Sequence, residues 1–188
     1  MYWIRELAQG CPMAEMKIKI HEIGPEGLAL RLPFEPSWFR PALADVDLEL
    51  APGGGGAEVT LEKVDDNVLV RGAMRGSVIV PCARCLARAE IDLAAPIRMT
   101  YSREAEVREA EVEITDDDVD FAVYDGETIN LGELFREQIL LAIPMTPLCR
   151  TECKGLCSQC GKDLNEGPCS CQRPPDPRFA ALKGLKLS

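Results

Sequence analysis

Eight of the cysteines in this 188-residue chain stand in four close pairs: Cys82 with Cys85, Cys149 with Cys153, Cys157 with Cys160, and Cys169 with Cys171. Thiolates are soft ligands, and structural zinc takes four of them in a tetrahedron. Four pairs therefore match two four-thiolate zinc sites. In Cys157-Ser-Gln-Cys160 the two intervening residues let both sulfurs reach one ion at about 2.3 Å. Gly161 behind them permits the left-handed turn that closes such a knuckle. Cys149 and Cys153, four apart, share a face of a helical turn. Cys169 and Cys171, two apart, share a face of extended chain. These spacings favour one site from Cys82, Cys85, Cys149 and Cys153 and another from Cys157, Cys160, Cys169 and Cys171. One larger cluster stays open, because Cys153 is also close to Cys157 and Cys160 in sequence. Iron–sulfur clusters use four thiolates as well, and spacing alone does not separate them from zinc.

Other thiol chemistries compete. A disulfide framework wants an oxidising compartment, but residues 1–7 place charges where the apolar core of a signal peptide belongs. Arg84 and Arg88 beside Cys82-Ala-Arg-Cys85 would favour a thiolate and hence a redox role. Against that, the pair lacks the strand-then-long-helix setting that puts a reactive thiol at a helix N-terminus. Cys11 has no close partner and reads as a free thiol. Catalytic patterns are otherwise missing. His21, the one histidine, lies on the polar side of an expected strand. Gly53 to Gly56 lack the lysine and helix of a phosphate loop. No serine elbow or triad is present. Asp116, Asp117, Asp118 and Asp120 lack the glycine and closing glutamate of a calcium loop. The chain reads as a binding protein, not an enzyme, without a small-molecule substrate.

The elements that would carry the thiols alternate apolar and polar residues over 16–21, 27–32, 46–50, 59–64, 68–74, 77–80, 89–93 and 97–101, which predicts short strands. The expected class is α+β, mainly β, with an antiparallel sheet curled into a barrel or sandwich. Pro52 and the glycines 53–56 predict a flexible hairpin tip, and Cys82 and Cys85 fall in a loop between strands. Asn130 and Glu133 have the spacing of a capping box. The helix behind them is apolar nearly all round, so it is expected to be buried, with Met145 in the core and Pro144 and Pro147 ending it. The expected organisation is an extension over 1–15, a β domain over 16–128 with an acidic loop at 104–127, and a buried helix over 129–148. A cysteine-rich, zinc-ribbon-like module over 149–172 and a Pro-rich spacer with a basic tail over 173–188 complete it.

The formal net charge is −10, and residues 104–127 hold eleven acids against Arg108 alone. The plain reading of that run is a solvated loop; the sharper one is a shield for the chain's own arginines or a dock for a basic protein. Residues 68–103 carry six arginines against Glu90 and Asp92. Net acidity counts against bulk attraction to nucleic acid, so a local patch would be needed. No apolar run is long enough to span a membrane.

The chain resembles the YceD family, the large ribosomal RNA subunit accumulation proteins. The resemblance lies in Val80-Pro-Cys-Ala-Arg-Cys-Leu86, in Tyr124-Asp-Gly-Glu-Thr-Ile-Asn-Leu-Gly-Glu-Leu134, and in Glu137-Gln-Ile-Leu-Leu-Ala-Ile-Pro-Met145. It continues through Cys153-Lys-Gly-Leu-Cys-Ser-Gln-Cys-Gly161 to Pro175-Asp-Pro-Arg-Phe-Ala-Ala-Leu-Lys183, and spans roughly residues 16 to 188. It implies a cytoplasmic bacterial factor for 23S ribosomal RNA accumulation. The implied partners are the pre-ribosomal large subunit, its RNA, or a basic ribosomal or assembly protein. Family members that lose the later cysteines but keep counterparts of Cys82 and Cys85 still need partners for that pair, which favours the same division into two sites. A zinc-dependent nucleic-acid-binding regulator and a thiol redox protein are the alternatives.

Overall fold

A computed structural model describes residues 4–6, 16–103 and 120–171. Cys11, most of the acidic run and the segment 173–188 lie outside the described residues. The elements run β1 (Ile4–Glu6), β2 (Lys17–Lys19), β3 (Leu28–Pro33), α1 (Pro36–Ala42), β4 (Glu49–Val64), β5 (Asn67–Pro81), β6 (Arg88–Arg103), β7 (Phe121–Tyr124), β8 (Thr128–Asn130) and α2 (Leu131–Ala142). Six strands form one sheet in the order β1-β3-β4-β5-β6-β7, and β2 pairs with β8 in a second. The β1–β3 and β6–β7 pairs are parallel, the others antiparallel.

The sheet is therefore mixed and open: among the described residues β1 and β7 do not meet, which corrects the expected barrel. Its backbone is three long strands, β4, β5 and β6. Along β5, Val68, Val70, Met74, Val78 and Val80 are buried while Arg71, Ala73 and Arg75 face solvent. Period-2 patterning of this kind commits one face of a sheet to the core. The glycine run belongs to β4 and is no hairpin tip, because strand pairing resumes at Gly55 opposite Gly76 after a register shift. A Cβ on Gly55 would lie 2.6 Å from the Arg75 carbonyl oxygen, so only glycine lets the two backbones approach there. The turn sits instead at Asp65-Asp66, with Asp65 at a φ of 54°, a conformation aspartate tolerates.

The inner face is covered by the two helices and the small sheet. Trp38 and Phe39 of α1 are buried and pack on each other and on Phe34, which also meets Phe135 of α2, with ring centroids 5.3 to 6.4 Å apart. Full burial of each such ring contributes roughly 2–3 kcal/mol. In α2 the Asn130 side-chain oxygen accepts from the amides of Gly132 and Glu133, the capping half of the expected box. Ile143, extended at φ −77° and ψ 128°, ends the helix as a residue before proline must. The helix buries one side only: Leu131, Leu134, Phe135 and Ile139 are inside, whereas Leu141 is 78% exposed. Met145 is fully exposed, not in the core as expected.

Candidate metal centres

Two knuckles with the same backbone geometry carry the thiols. At the β5–β6 connection the Cys82 amide donates to the Ala87 carbonyl at 2.8 Å, and the Leu86 amide donates back to the Cys82 carbonyl at 3.0 Å. At the second, the Cys157 amide donates to Lys162 at 2.8 Å and the Gly161 amide to Cys157 at 2.9 Å. The fourth residue after the leading cysteine is left-handed in both, Leu86 at a φ of 61° and Gly161 at 71°. A leucine there carries a steric cost of about 1–2 kcal/mol. It is a departure from the sequence logic that expects glycine, and Leu86 is 69% exposed.

Around these knuckles the chain gathers eight sulfurs into two tetrads, Cys82–Cys85–Cys149–Cys153 and Cys157–Cys160–Cys169–Cys171, each with all sulfurs within 4.8 Å of one another. Individual separations are 3.8 Å for Cys82–Cys153, 3.6 Å for Cys85–Cys149 and 3.4 Å for Cys157–Cys169. A disulfide needs about 2.05 Å. A tetrahedron of thiolates about 2.3 Å from a central ion has edges of about 3.8 Å. The donor set fits a metal ion in number, softness and spacing.

The two tetrads differ in depth. Cys82, Cys85 and Cys153 belong to the hydrophobic core, with Cys149 packed against it. Cys160 and Cys171 are exposed. The deeper tetrad is locked by contacts from outside the ligand set. The Ala83 amide donates to Pro147 at 2.8 Å and the Leu156 amide to Arg84 at 3.1 Å. Arg84 Nη1 donates to the Cys153 carbonyl at 2.7 Å. Asn165 Nδ2 donates to Cys153 Sγ at 3.5 Å while its oxygen accepts from the Lys154 amide at 2.8 Å. Gly155 allows this packing: its φ is 74°, and a Cβ would lie 2.9 Å from the Arg84 carbonyl oxygen. Arg84 is thus a clamp on the tail. The sequence points to neither Arg84 nor Asn165 for that role, which shows only once residues 82–87 and 147–165 are brought together. Arg88 pairs with Glu49 at 2.8 Å and takes no part.

Amides aimed at sulfur shape the proton affinities. The amides of Cys149, Arg84 and Cys85 draw Cys82 down to about 6, and those of Cys160 and Gln159 draw Cys157 down to about 6. Burial and the neighbouring sulfurs push Cys149 up to about 12, and the Cys160 sulfur with burial pushes Cys171 up to about 12. Cys85 is also raised: burial and the Cys153 and Cys82 sulfurs outweigh the Ala87 amide that would lower it. Four thiolates this close ionise together only around a cation. Loading the deeper tetrad at neutral pH therefore displaces protons from Cys85 and Cys149. With at least these two protons displaced, its metal affinity falls at least about a hundredfold per pH unit on acidification, more steeply once Cys82 protonates below about 6. Chelator competition at stepped pH measures this, and pH-independent affinity would contradict it.

A mixed β-sheet whose tail is tied back through one four-sulfur cluster and gathers a second within itself is the class of protein that fold and site define. The chain belongs to the YceD family. Its residues 70–186 match the family described as large ribosomal RNA subunit accumulation protein YceD. An uncharacterised protein of Mycobacterium tuberculosis is 34% identical over 145 residues, 74% of this chain and 67% of the relative. The uncharacterised protein YlbN of Bacillus subtilis is 32% identical over 135 residues, 70% of this chain and 71% of the relative. Large ribosomal RNA subunit accumulation protein YCED homolog 1, chloroplastic, of Arabidopsis thaliana is 34% identical over 59 residues, 31% of this chain and 18% of the relative. No solved structure matches. No helix among the described residues is long and apolar enough to cross a membrane.

Proposed function

We propose that the chain is a non-catalytic, cytoplasmic factor of large ribosomal subunit biogenesis that supports 23S ribosomal RNA accumulation by binding the pre-ribosome. The family match over residues 70–186 carries this reading. In it, all eight clustered cysteines ligate two structural zinc ions, and residues 149–172 form a zinc-ribbon-like module. A four-thiolate ion has no open coordination position for substrate, which supports a structural role for the metal. The zinc supplies folding energy that so short a segment cannot draw from a core of its own. The partner is the pre-ribosomal large subunit, through its RNA or a basic assembly protein.

Deleting the gene in its host is expected to lower 23S relative to 16S ribosomal RNA, and the wild-type gene to restore the ratio. An unchanged ratio would overturn the reading. Affinity capture with and without RNase then separates an RNA partner from a protein one.

A further inference from the structure

The outer face of the large sheet holds like charges where a folding sheet gains nothing from them. Arg71 of β5 stands directly opposite Arg98 of β6, and Arg75 opposite Ala94. Opposed residues lie about 5 Å apart at Cα, and Arg71 and Arg75 about 13 Å apart along the strand. Like charges so placed are destabilising. All three arginines are exposed. Among the described residues none of their side chains makes an ion pair or hydrogen bond, although acids share the face.

Three of those acids are already engaged. Glu58 is held by Arg31, Glu49 by Arg88, and Asp92 accepts from Ser77. Glu90 stands beside Ile79, far along the sheet from the Arg71–Arg98 pair, and Glu62, beside Leu69 and diagonal to Arg71, makes no ion pair with it among the described residues. Between the guanidinium groups the floor is low. Gly56 and Ala73 line a groove of about 520 Å³ flanked by Arg31 and Arg75. At the margin, Phe121 of β7 pairs in register with Thr100, two residues past Arg98 on the same face, and is 44% exposed.

We propose that this face binds single-stranded RNA, with Arg71, Arg75 and Arg98 on backbone phosphates and Phe121 as a stacking surface for a base. Guanidinium forks suit phosphate oxygens. An open sheet with an aromatic at its edge suits unpaired bases, which stack on any ring. The contacts act at short range, because a chain of net charge −10 does not draw a polyanion from a distance. The choice of RNA over an acidic protein rests on the ribosomal reading above.

The test measures anisotropy of a labelled single-stranded RNA of about 20 nucleotides against the full chain as purified, over roughly 50 to 200 mM salt. Polyglutamate serves as competitor. Each phosphate contact on a single strand contributes about 0.7 to the log–log salt slope. The triple variant R71Q/R75Q/R98Q is therefore expected to flatten the slope by about 2. The wild type then loses about twentyfold of affinity across that salt range that the variant does not. Phe121→Ala is expected to weaken binding roughly five- to a hundredfold. Arg71→Gln alone relieves the opposed pair, so its melting temperature is expected to stay level or rise by about 1–3 °C while RNA affinity falls. A gain of stability with a loss of binding is not what a merely structural arginine gives.

Wild-type affinity and salt slope in the triple variant would overturn the proposal. So would binding of polyglutamate by a chain that ignores the RNA. RNA binding lost in the variants, alongside an unchanged 23S to 16S ratio in the deletion strain, would uphold this face and remove the ribosomal reading instead.

Discussion

Cys85→Ser is expected to lower the melting temperature of the chain by more than about 10 °C, and Cys160→Ser by only a few degrees. Both remove one of four ligands, so ligand chemistry alone would predict equal effects. Position makes them unequal. Cys82, Cys85 and Cys153 are part of the core, and the deeper tetrad is the point where residues 147–156 are fastened to the β5–β6 connection. Losing the proposed ion would release the segment after α2 and leave Cys82, Cys149 and Cys153 without their cation. Zinc binding free energy is folding free energy in such modules, on the order of 10 kcal/mol, comparable to the stability of a whole domain. Around Cys160 there is no core to lose, since Cys157 and Cys169 are half-buried and Cys160 and Cys171 exposed. Thermal melts of the two variants, with hydrogen exchange to locate the loosened segment, give the comparison. In Cys160→Ser, lost protection is expected to be confined to residues 155–171. Equal losses of melting temperature would mean that the deeper tetrad does not fasten the tail.

Removing residues 149–188 is expected to abolish rescue of a deletion strain, leaving 23S ribosomal RNA as low as in the null. That truncation takes Cys149 and Cys153 and so disables both tetrads. A chain ending at residue 153 is the sharper variant, because it keeps all four sulfurs of the deeper tetrad and discards the outer one. It is expected to retain the sheet and still fail to restore the RNA. Full rescue by it would place the whole function on the sheet and reduce the outer cysteines to a dispensable staple. Circular dichroism on the purified truncation keeps a folding defect distinct from a functional one.

The strands were legible where apolar and polar residues alternate with one face buried, as in β3, but the expected strands 68–74 and 77–80 are one continuous β5, and 89–93 and 97–101 one continuous β6. Interruptions misled. Gly53 to Gly56 resemble a turn locally, and only the facing strands show that Gly55, against Arg75 and Gly76, and Gly56, against Leu32, are close backbone approaches within β4. α1 went unseen because its seven residues contain Pro36 and Pro41. Proline is acceptable in the first turn, and the burial of Trp38 and Phe39 outweighs the hydrogen bond that Pro41 cannot make. β7 lies inside the stretch read as acidic loop, and its parallel pairing with β6 depends on a partner remote from any local pattern. Barrel closure is likewise a property of the two edges, which alternation within a strand does not encode.

At the thiols, spacing carries the information, because pairs two to four residues apart can reach one ion with little change in backbone. What spacing does not carry is depth. Nothing in Cys-Ala-Arg-Cys against Cys-Ser-Gln-Cys says that the first pair closes over the core and the second faces water. The clamp by Arg84 and the Asn165 amide behind Cys153 are equally invisible, since each joins segments far apart in sequence. The arginine face is readable only in part. Period 2 puts Arg71 and Arg75 on one side of a strand, but the register that sets Arg98 against Arg71 comes from the sheet.

Metal analysis of the purified, reduced chain tests the central claim most directly: that two tetrads of thiolates, Cys82–Cys85–Cys149–Cys153 and Cys157–Cys160–Cys169–Cys171, are two structural zinc centres. Mass spectrometry under native conditions with elemental analysis is expected to return about two zinc ions per chain and no iron. One zinc or none, or iron with inorganic sulfide, would contradict it.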